Sequence, residues 1–238
     1  MNVGMSPASE ITHIVVAGST GEVGRSLVQN SLLLPSVAVH ALTRRPGAWD
    51  DTPRVDEVVF DFDAPEAYDA LFRRIPCDVL LIALGTTTGK TGKRGLLRVD
   101  RDYPLQLIAA LERLRPEAKV GFCSSVVADR PRGNYLMAKH AVEARLQSSR
   151  LASAIARPSL LISQRSEFRL MEKLSLPLMQ AAFAVLKKLR PSSQVVWKYA
   201  PISVENVAEQ LLAATFRLVP SQHIVLEGKA LCEGLSSD

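Results

Sequence analysis

Apolar positions along the chain alternate between two periods. Short aliphatic or β-branched runs at residues 11–17, 37–43, 57–60, 79–84, 119–123, 152–156 and 223–226 have the length and composition of strands. Between them, at 24–34, 65–74, 103–114, 135–148 and 204–218, apolar residues recur at helical spacing, as Val23, Leu27 and Val28 do around the start of the first stretch. Pro104 falls in the first turn of its helix, where a missing N–H costs nothing. Strands alternating with helices predict an α/β fold: a doubly wound parallel sheet with helices on both faces. No internal repeat, low-complexity stretch or interdomain linker interrupts this rhythm. One segment departs from it: residues 168–190 are mostly apolar and interrupted by Pro177.

The first strand pattern runs directly into Gly18-Ser19-Thr20-Gly21-Glu22-Val23-Gly24 and then into a helix. This is the strand–turn–helix opening of a dinucleotide-binding unit, with the first two glycines one residue further apart than in the usual fingerprint. Gly18 permits the tight turn, Gly21 lets the backbone approach a pyrophosphate, and Gly24 allows close helix–strand packing. The helix N-terminus offers unpaired N–H groups to the anion. The motif names a ligand class and leaves the reaction open.

With 238 residues, 47% of them hydrophobic, the chain can bury one substantial core and carry a small appended lobe. Residues 1–10 hold no hydrophobic signal region and read as a disordered tail; residues 11–238 read as a single domain with its substrate-side elements mainly in 159–203. No apolar run reaches membrane-spanning length. Cys77, Cys123 and Cys232 lack metal-ligand spacing, which predicts reduced thiols, a cytoplasmic protein and no metal site. A net charge of +5 raises the question of nucleic acid. The basic residues are scattered and aromatics are only 5% of the chain, so no stacking platform for a nucleic acid is predicted. An anionic cofactor is a sufficient use for a few of these charges.

The second strand ends in Thr43-Arg44-Arg45, where an NAD-binding unit of this type usually has an acidic residue for the adenosine ribose. A guanidinium there pairs with a 2′-phosphate through its planar fork, which predicts NADP, with NAD also open. Asp61, closing the third strand, is placed to contact the adenine amino group. Ser124 and Ser125 end the fifth strand, where a parallel sheet presents ligand-facing residues. Downstream, Tyr135 and Lys139 stand four residues apart on one helical face, and no other tyrosine has a lysine at that offset. A nearby ammonium favours the phenolate, which suits Tyr135 to exchange a proton with a carbonyl or alcohol oxygen that Ser125 polarises.

These motifs in sequence order resemble the short-chain dehydrogenase/reductase superfamily, in its atypical branch, and most of all the Tat-interacting-protein-like oxidoreductases. Further marks are Ala83-Leu84-Gly85-Thr86-Thr87, Arg98-Val99-Asp100-Arg101-Asp102-Tyr103 and Arg157-Pro158. The resemblance implies a Rossmann fold that binds NAD(P), with Ser125, Tyr135 and Lys139 as the catalytic serine, tyrosine and lysine. Lys139 would also hold the nicotinamide ribose, and the residues after Arg157-Pro158 would line the nicotinamide pocket. Leu84, Gly85 and Pro158 join residues 18–24, Arg44, Arg45, Asp61 and Lys139 in the implied cofactor-binding set. Two positions depart from the pattern: Asp100 stands near where many members have asparagine, and Ser159 follows Arg157-Pro158 where relatives often have glycine.

Gly85-Thr86-Thr87-Thr88-Gly89-Lys90-Thr91 has the outline of a phosphate-binding P-loop but only three residues between its glycines, one too few. Gly92 and Gly95 are expected to delay helix formation, leaving a loop beside the cleft with Lys90, Lys93 and Arg94 toward solvent. Residues 174–189 are apolar around much of a helical circumference. They suit core or lid packing over a substrate cleft, a contact with a second copy or protein partner, or a membrane surface. The reading that joins these observations is an NADP-dependent carbonyl/alcohol oxidoreductase acting on a small molecule. Its rivals are a non-catalytic NADP(H)-sensing protein and a sugar-nucleotide epimerase.

Overall fold

A computed structural model describes residues 11–162 and 193–233 of the chain, together with Phe183, Leu186 and Leu189. Seven strands form one parallel sheet: β1 (Thr12–Ala17), β2 (Val37–Thr43), β3 (Val55–Val59), β4 (Val79–Ile82), β5 (Lys119–Cys123), β6 (Ala152–Ala156) and β9 (His223–Leu226). Their spatial order is β3-β2-β1-β4-β5-β6-β9. A short pair, β7 (Leu161–Ile162) with β8 (Ile202–Ser203), lies outside this sheet and brackets in sequence the segment 163–192. The helices are α1 (Glu22–Ser31), α2 (Pro65–Arg74), α3 (Thr88–Leu97), α4 (Tyr103–Leu114), α5 (Gly133–Gln147), α6 (Gln194–Tyr199), α7 (Val204–Arg217) and α8 (Lys229–Glu233). A π-helical turn, Arg98–Asp102, joins α3 to α4.

The doubly wound α/β fold expected from the alternation is therefore present. Its two cores follow from the two-residue period of a strand. In β1, Ile14 and Val16 face one layer and pack with Leu27 of α1 and Val207 and Leu211 of α7. Val15 and Ala17 face the other, with Phe72 of α2, Leu107 of α4 and Val142 of α5. Both faces of the central strands are dry, and a parallel sheet requires this because its crossover helices cover each side.

The strand order reverses between β1 and β4, which opens a crevice at their carboxyl ends. Gly18 leaves β1 with φ +87°, a left-handed conformation, and a side chain there would lie 2.6 Å from the Ala83 backbone after β4. Gly24, in the first turns of α1, sits so close that a Cβ would lie 2.0 Å from the Gly18 carbonyl oxygen. Gly21 caps α1 with its N–H on the Gly18 carbonyl (3.0 Å), and a Cβ there would meet nothing closer than that oxygen at 3.4 Å. The turn is thus compact on its inner side and open on its outer side.

Three expectations about local structure change. The helix after β4 forms over Thr88–Leu97 in place of a loop, broken by Gly92 at φ 68°, ψ 177°. One glycine out of the helical region kinks the segment without preventing the turns on either side. Helix α1 starts at Glu22, directly after its cap Gly21, and β4 stops at Ile82. The stretches 1–10 and 174–189 lie outside the described residues, apart from Phe183, Leu186 and Leu189. Among the described residues no helix is long and apolar enough to cross a membrane.

The glycines of the turn are expected to separate by substitution. Gly24→Ala forces a backbone shift and should lower the unfolding free energy by about 1–3 kcal/mol, as overpacking does. Gly21→Ala, with extended backbone and open space, should change it by less than about 0.5 kcal/mol, the range of ordinary surface substitutions. Urea titrations of the two variants against the parent check the difference.

Candidate functional site

A cleft of about 310 Å³ runs across the switch point, lined by Gly18, Thr20 and Gly21 on one side and Leu84, Gly85 and Thr86 on the other. Arg44 from the end of β2 and Lys90, Thr91 and Tyr103 close it. The Ser19 hydroxyl does not face this space; buried, it donates to the Leu42 carbonyl (2.8 Å) and ties the turn to β2. Val23 is core, and Glu22 is an exposed residue in the first turn of α1. Helix α1 has no side-chain cap, so its first N–H groups point outward without partners from that source. A glycine-rich turn whose Ser19 points away, with uncapped N–H groups beside an open cleft, fits the pyrophosphate of a dinucleotide.

The cleft continues into a cavity of about 610 Å³ lined by Arg44, Asp61, Phe62, Asp63, Arg98 and Tyr103, among others. Asp61 lies beyond the end of β3, exposed, and its carboxylate accepts the Asp63 N–H (2.9 Å). Tyr103 donates to Asp63 Oδ1 (2.5 Å). Burial and then that hydrogen bond push the Tyr103 phenol up to about 12, against the opposing charges of Arg98 and Arg44. Arg45 is exposed and lines neither cavity. The structure thus brings Arg44 and Asp61 together and leaves Arg45 aside.

Beyond the crevice, α5 lays an unusual stripe against the sheet. Ala138, Lys139, Val142, Glu143 and Leu146 are its buried residues, so two charges lie on the inner face of the helix. The Lys139 ammonium donates to the carbonyls of Leu84 (3.0 Å) and Cys123 (3.4 Å), at the ends of β4 and β5. It also sits 3.1 Å from Asp100 Oδ1, an ion contact between a lysine 3% exposed and a carboxylate 0% exposed. The second oxygen of Asp100 accepts the Thr86 N–H (2.9 Å). Burial opposes the Lys139 charge, but Tyr135 and Asp100 outweigh it and hold the ammonium above its ordinary range. Tyr135, one turn earlier and partly exposed, presents its ring 5.8 Å from that ammonium.

The two serines after β5 separate. Ser124 is buried and donates to Glu143 (2.5 Å), whose carboxylate also receives the Nε and Nη2 donors of Arg157. Arg157 reaches on to Glu227 (3.5 Å), and Lys198 of α6 pairs with the same carboxylate (3.3 Å). This chain of charges clamps the ends of β5, β6 and β9. Ser125 is half-buried, and its hydroxyl makes no hydrogen bond among the described residues. Its loop carries Val127 at φ 58°, a strained conformation for a β-branched residue. The Val126 N–H on the buried Pro158 carbonyl (2.8 Å) helps hold it. Ser159 turns aside to donate to the Ala200 carbonyl.

The Asp100–Lys139 pair, the Glu143–Arg157 pair and the cavity position of Arg98 are not readable from the motifs. A faint signal exists for one of them: Tyr135, Lys139 and Glu143 recur every four residues, so the glutamate shares the stripe of the other two. Among the described residues no cluster of His, Cys, Asp and Glu is arranged to hold a metal.

A family model described as NAD(P)H-binding matches residues 18–177, more than half of the chain. The chain belongs to the NAD(P)H-binding family. Protein HTATIP2 of Rattus norvegicus is 31% identical over 170 residues, covering 66% of this chain and 65% of that protein. The match therefore spans less than two-thirds of that relative's length. The likeness read from the motifs, to the Tat-interacting-protein-like branch, agrees with this relative. Among solved structures, the oxidoreductase ylbE of Lactococcus lactis superposes with TM-score 0.63 at 21% identity, over 91% of each chain. The Bordetella bronchiseptica enzyme WbmH, in complex with NAD+, gives TM-score 0.67 at 12% identity, over 91% of this chain and 75% of that one. At such identities the likeness is one of fold, and a nicotinamide dinucleotide is the ligand class that this NAD(P)H-binding fold and its cleft share.

Removing the partner of Lys139 strands a buried charge. Asp100→Ala should lower stability by about 3–5 kcal/mol, and Asp100→Asn, which keeps an acceptor, by less. Lys139 binds its proton more tightly in the folded chain than in the unfolded one. Its contribution is therefore complete below about pH 10.4 and is lost as pH climbs through the higher folded value. Urea unfolding across that range should show this alkaline loss in the parent and a smaller one in Asp100→Ala, where Tyr135 remains.

Proposed function

We propose that the protein is an NADP-dependent oxidoreductase that interconverts a carbonyl and an alcohol on a small molecule. The observation that carries this reading is that the Lys139 ammonium, 5.8 Å from the Tyr135 ring, reaches a wall of the cleft. The Lys139 ammonium is bonded to the carbonyl of Leu84, which itself lines that cleft. The glycine turn and the N-terminus of α1 would hold the pyrophosphate, Arg44 the 2′-phosphate, and Asp61 the adenine. When bound, the cofactor supplies or accepts the hydride.

The remaining work falls to the chain's own residues. Tyr135 gives its phenolic proton to the substrate oxygen in reduction and takes it back in oxidation. Ser125, with a hydroxyl unclaimed among the described residues, orients that oxygen and stabilises the charge that develops on it. Lys139 keeps a positive charge 5.8 Å from the Tyr135 ring, where negative charge develops as the proton leaves. Its donors already hold Leu84, Cys123 and Asp100, so gripping a ribose would require it to exchange one of these contacts. Residues 11–238 act in this reading as one NAD(P)-binding domain, with substrate-side elements in 159–203. The buried free thiols of Cys77 and Cys123 suit the reducing cytoplasm.

A second reading, a protein that senses NADP(H) without turnover, is favoured by one observation. The carboxylate of Asp100 compensates the charge on which Tyr135 depends.

Calorimetry should show NADPH binding at least about tenfold tighter than NADH, about one charge-assisted hydrogen bond. Arg44→Glu should abolish that preference; a preference that survives it removes the phosphate assignment. On a panel of carbonyl substrates, Tyr135→Phe should lower turnover by at least about a hundredfold, the usual share of general acid–base catalysis, with NADPH affinity within twofold of the parent. No turnover by the parent across a wide panel, with partner capture that depends on NADP(H), supports the sensor.

A further inference from the structure

The cavity beside the cleft has two guanidinium walls. Arg44 enters from the end of β2, and Arg98 enters from the π-helical turn between α3 and α4. Both line the same cavity of about 610 Å³, whereas Arg45, the sequence neighbour of Arg44, does not. The loop that presents Arg44 is pinned from behind: the N–H groups of Gly47 and Ala48 donate to Glu57 of β3 (3.0 and 3.1 Å). Arg44 donates no hydrogen bond among the described residues, so its fork is available. Arg98 spends one nitrogen on Asp63, at 3.4 Å, with both side chains more than half exposed. An exposed ion pair of this kind is weak and easily exchanged.

The acidic residues of the cavity are committed elsewhere. Asp63 accepts from the Tyr103 hydroxyl as well as pairing with Arg98, and Asp61 accepts the Asp63 N–H. Among the described residues Arg44 makes no ion pair, and Arg98 is a cation that can be redirected. A phosphate dianion entering between them is offered two planar forks of donors, a stronger arrangement than one arginine provides.

We propose that Arg98 is the second arm of a clamp that selects the 2′-phosphate of NADP, working with Arg44, and that Asp63 is its resting partner. The proposal rests on the NADP reading above and adds to it a residue from a different part of the chain. Arg98 is a specificity determinant here. It takes no part in the proton transfer assigned to Tyr135.

The test is calorimetric titration of NADPH and NADH into the full chain and into Arg98→Gln and Asp63→Asn, with circular dichroism melts as the check on folding. Arg98→Gln should weaken NADPH by about tenfold, the worth of one charge-assisted hydrogen bond, and leave NADH within twofold. Asp63→Asn, which keeps an acceptor for Tyr103 but releases Arg98, should strengthen NADPH a few-fold and leave NADH unchanged. If the parent prefers NADPH and Arg98→Gln keeps that preference, Arg98 is not part of the clamp although the NADP reading stands. Equal weakening of both cofactors also overturns the proposal, because Arg98 would then act on something other than the phosphate. Equal affinity of the parent for NADPH and NADH removes the NADP reading and the clamp together.

Discussion

Lys139 keeps an ammonium group at 3% exposure, and the surrounding chain is arranged to make that tolerable. Removing such a charge from water costs several kcal/mol even after relaxation. The cost is offset by Asp100 at 3.1 Å and by the carbonyls of Leu84 and Cys123. These groups come from the π-helical turn and from the exits of β4 and β5, and the lysine comes from α5. Four separate pieces of chain must be in register before the charge is satisfied. The same contacts set the distance between the dinucleotide cleft and the Tyr135 ring.

A second buried pair does for the later turns of α5 what Asp100 does for its earlier ones. Glu143 receives Ser124 and Arg157, and Arg157 continues to Glu227, which also pairs with Lys198. The hydrogen bond it donates to Glu143 is the leading reason the Arg157 guanidinium is held above its usual range. The network has a consequence for the adjacent serines: Ser124 is immobilised as a structural donor, which leaves Ser125 as the one presented outward. The strain at Val127 sits in the same loop. Rigid charges below and a strained backbone above hold Ser125 where the strand ends.

Helix α5 also explains why part of the site was hard to read. Its inner face mixes Ala138, Val142 and Leu146 with Lys139 and Glu143, so apolar periodicity understates how deeply it is buried. Helix α3 was missed for a different reason. Its glycines weaken local helical preference, yet only Gly92 leaves the helical region, and Thr91 and Gly95 pack against each other across one turn. That helix carries Lys90 and Thr91 to the cleft and delivers the π-helical turn, whose Arg98 lines the neighbouring cavity and whose Asp100 is buried against Lys139.

The sequence by itself determined the alternation of strands and helices, the parallel sheet, the glycine turn at its first crossover, and the candidate roles of Arg44, Asp61, Ser125, Tyr135 and Lys139. Each of these is a local property: a two- or four-residue period, or a backbone conformation that only glycine adopts. Tertiary structure decided which charges meet. The pairing of Lys139 with Asp100, of Glu143 with Arg157, and the shared cavity of Arg44 and Arg98 join residues distant in the chain. Attraction between charges depends on separation and burial in space, and neither is written in the spacing of residues along the chain.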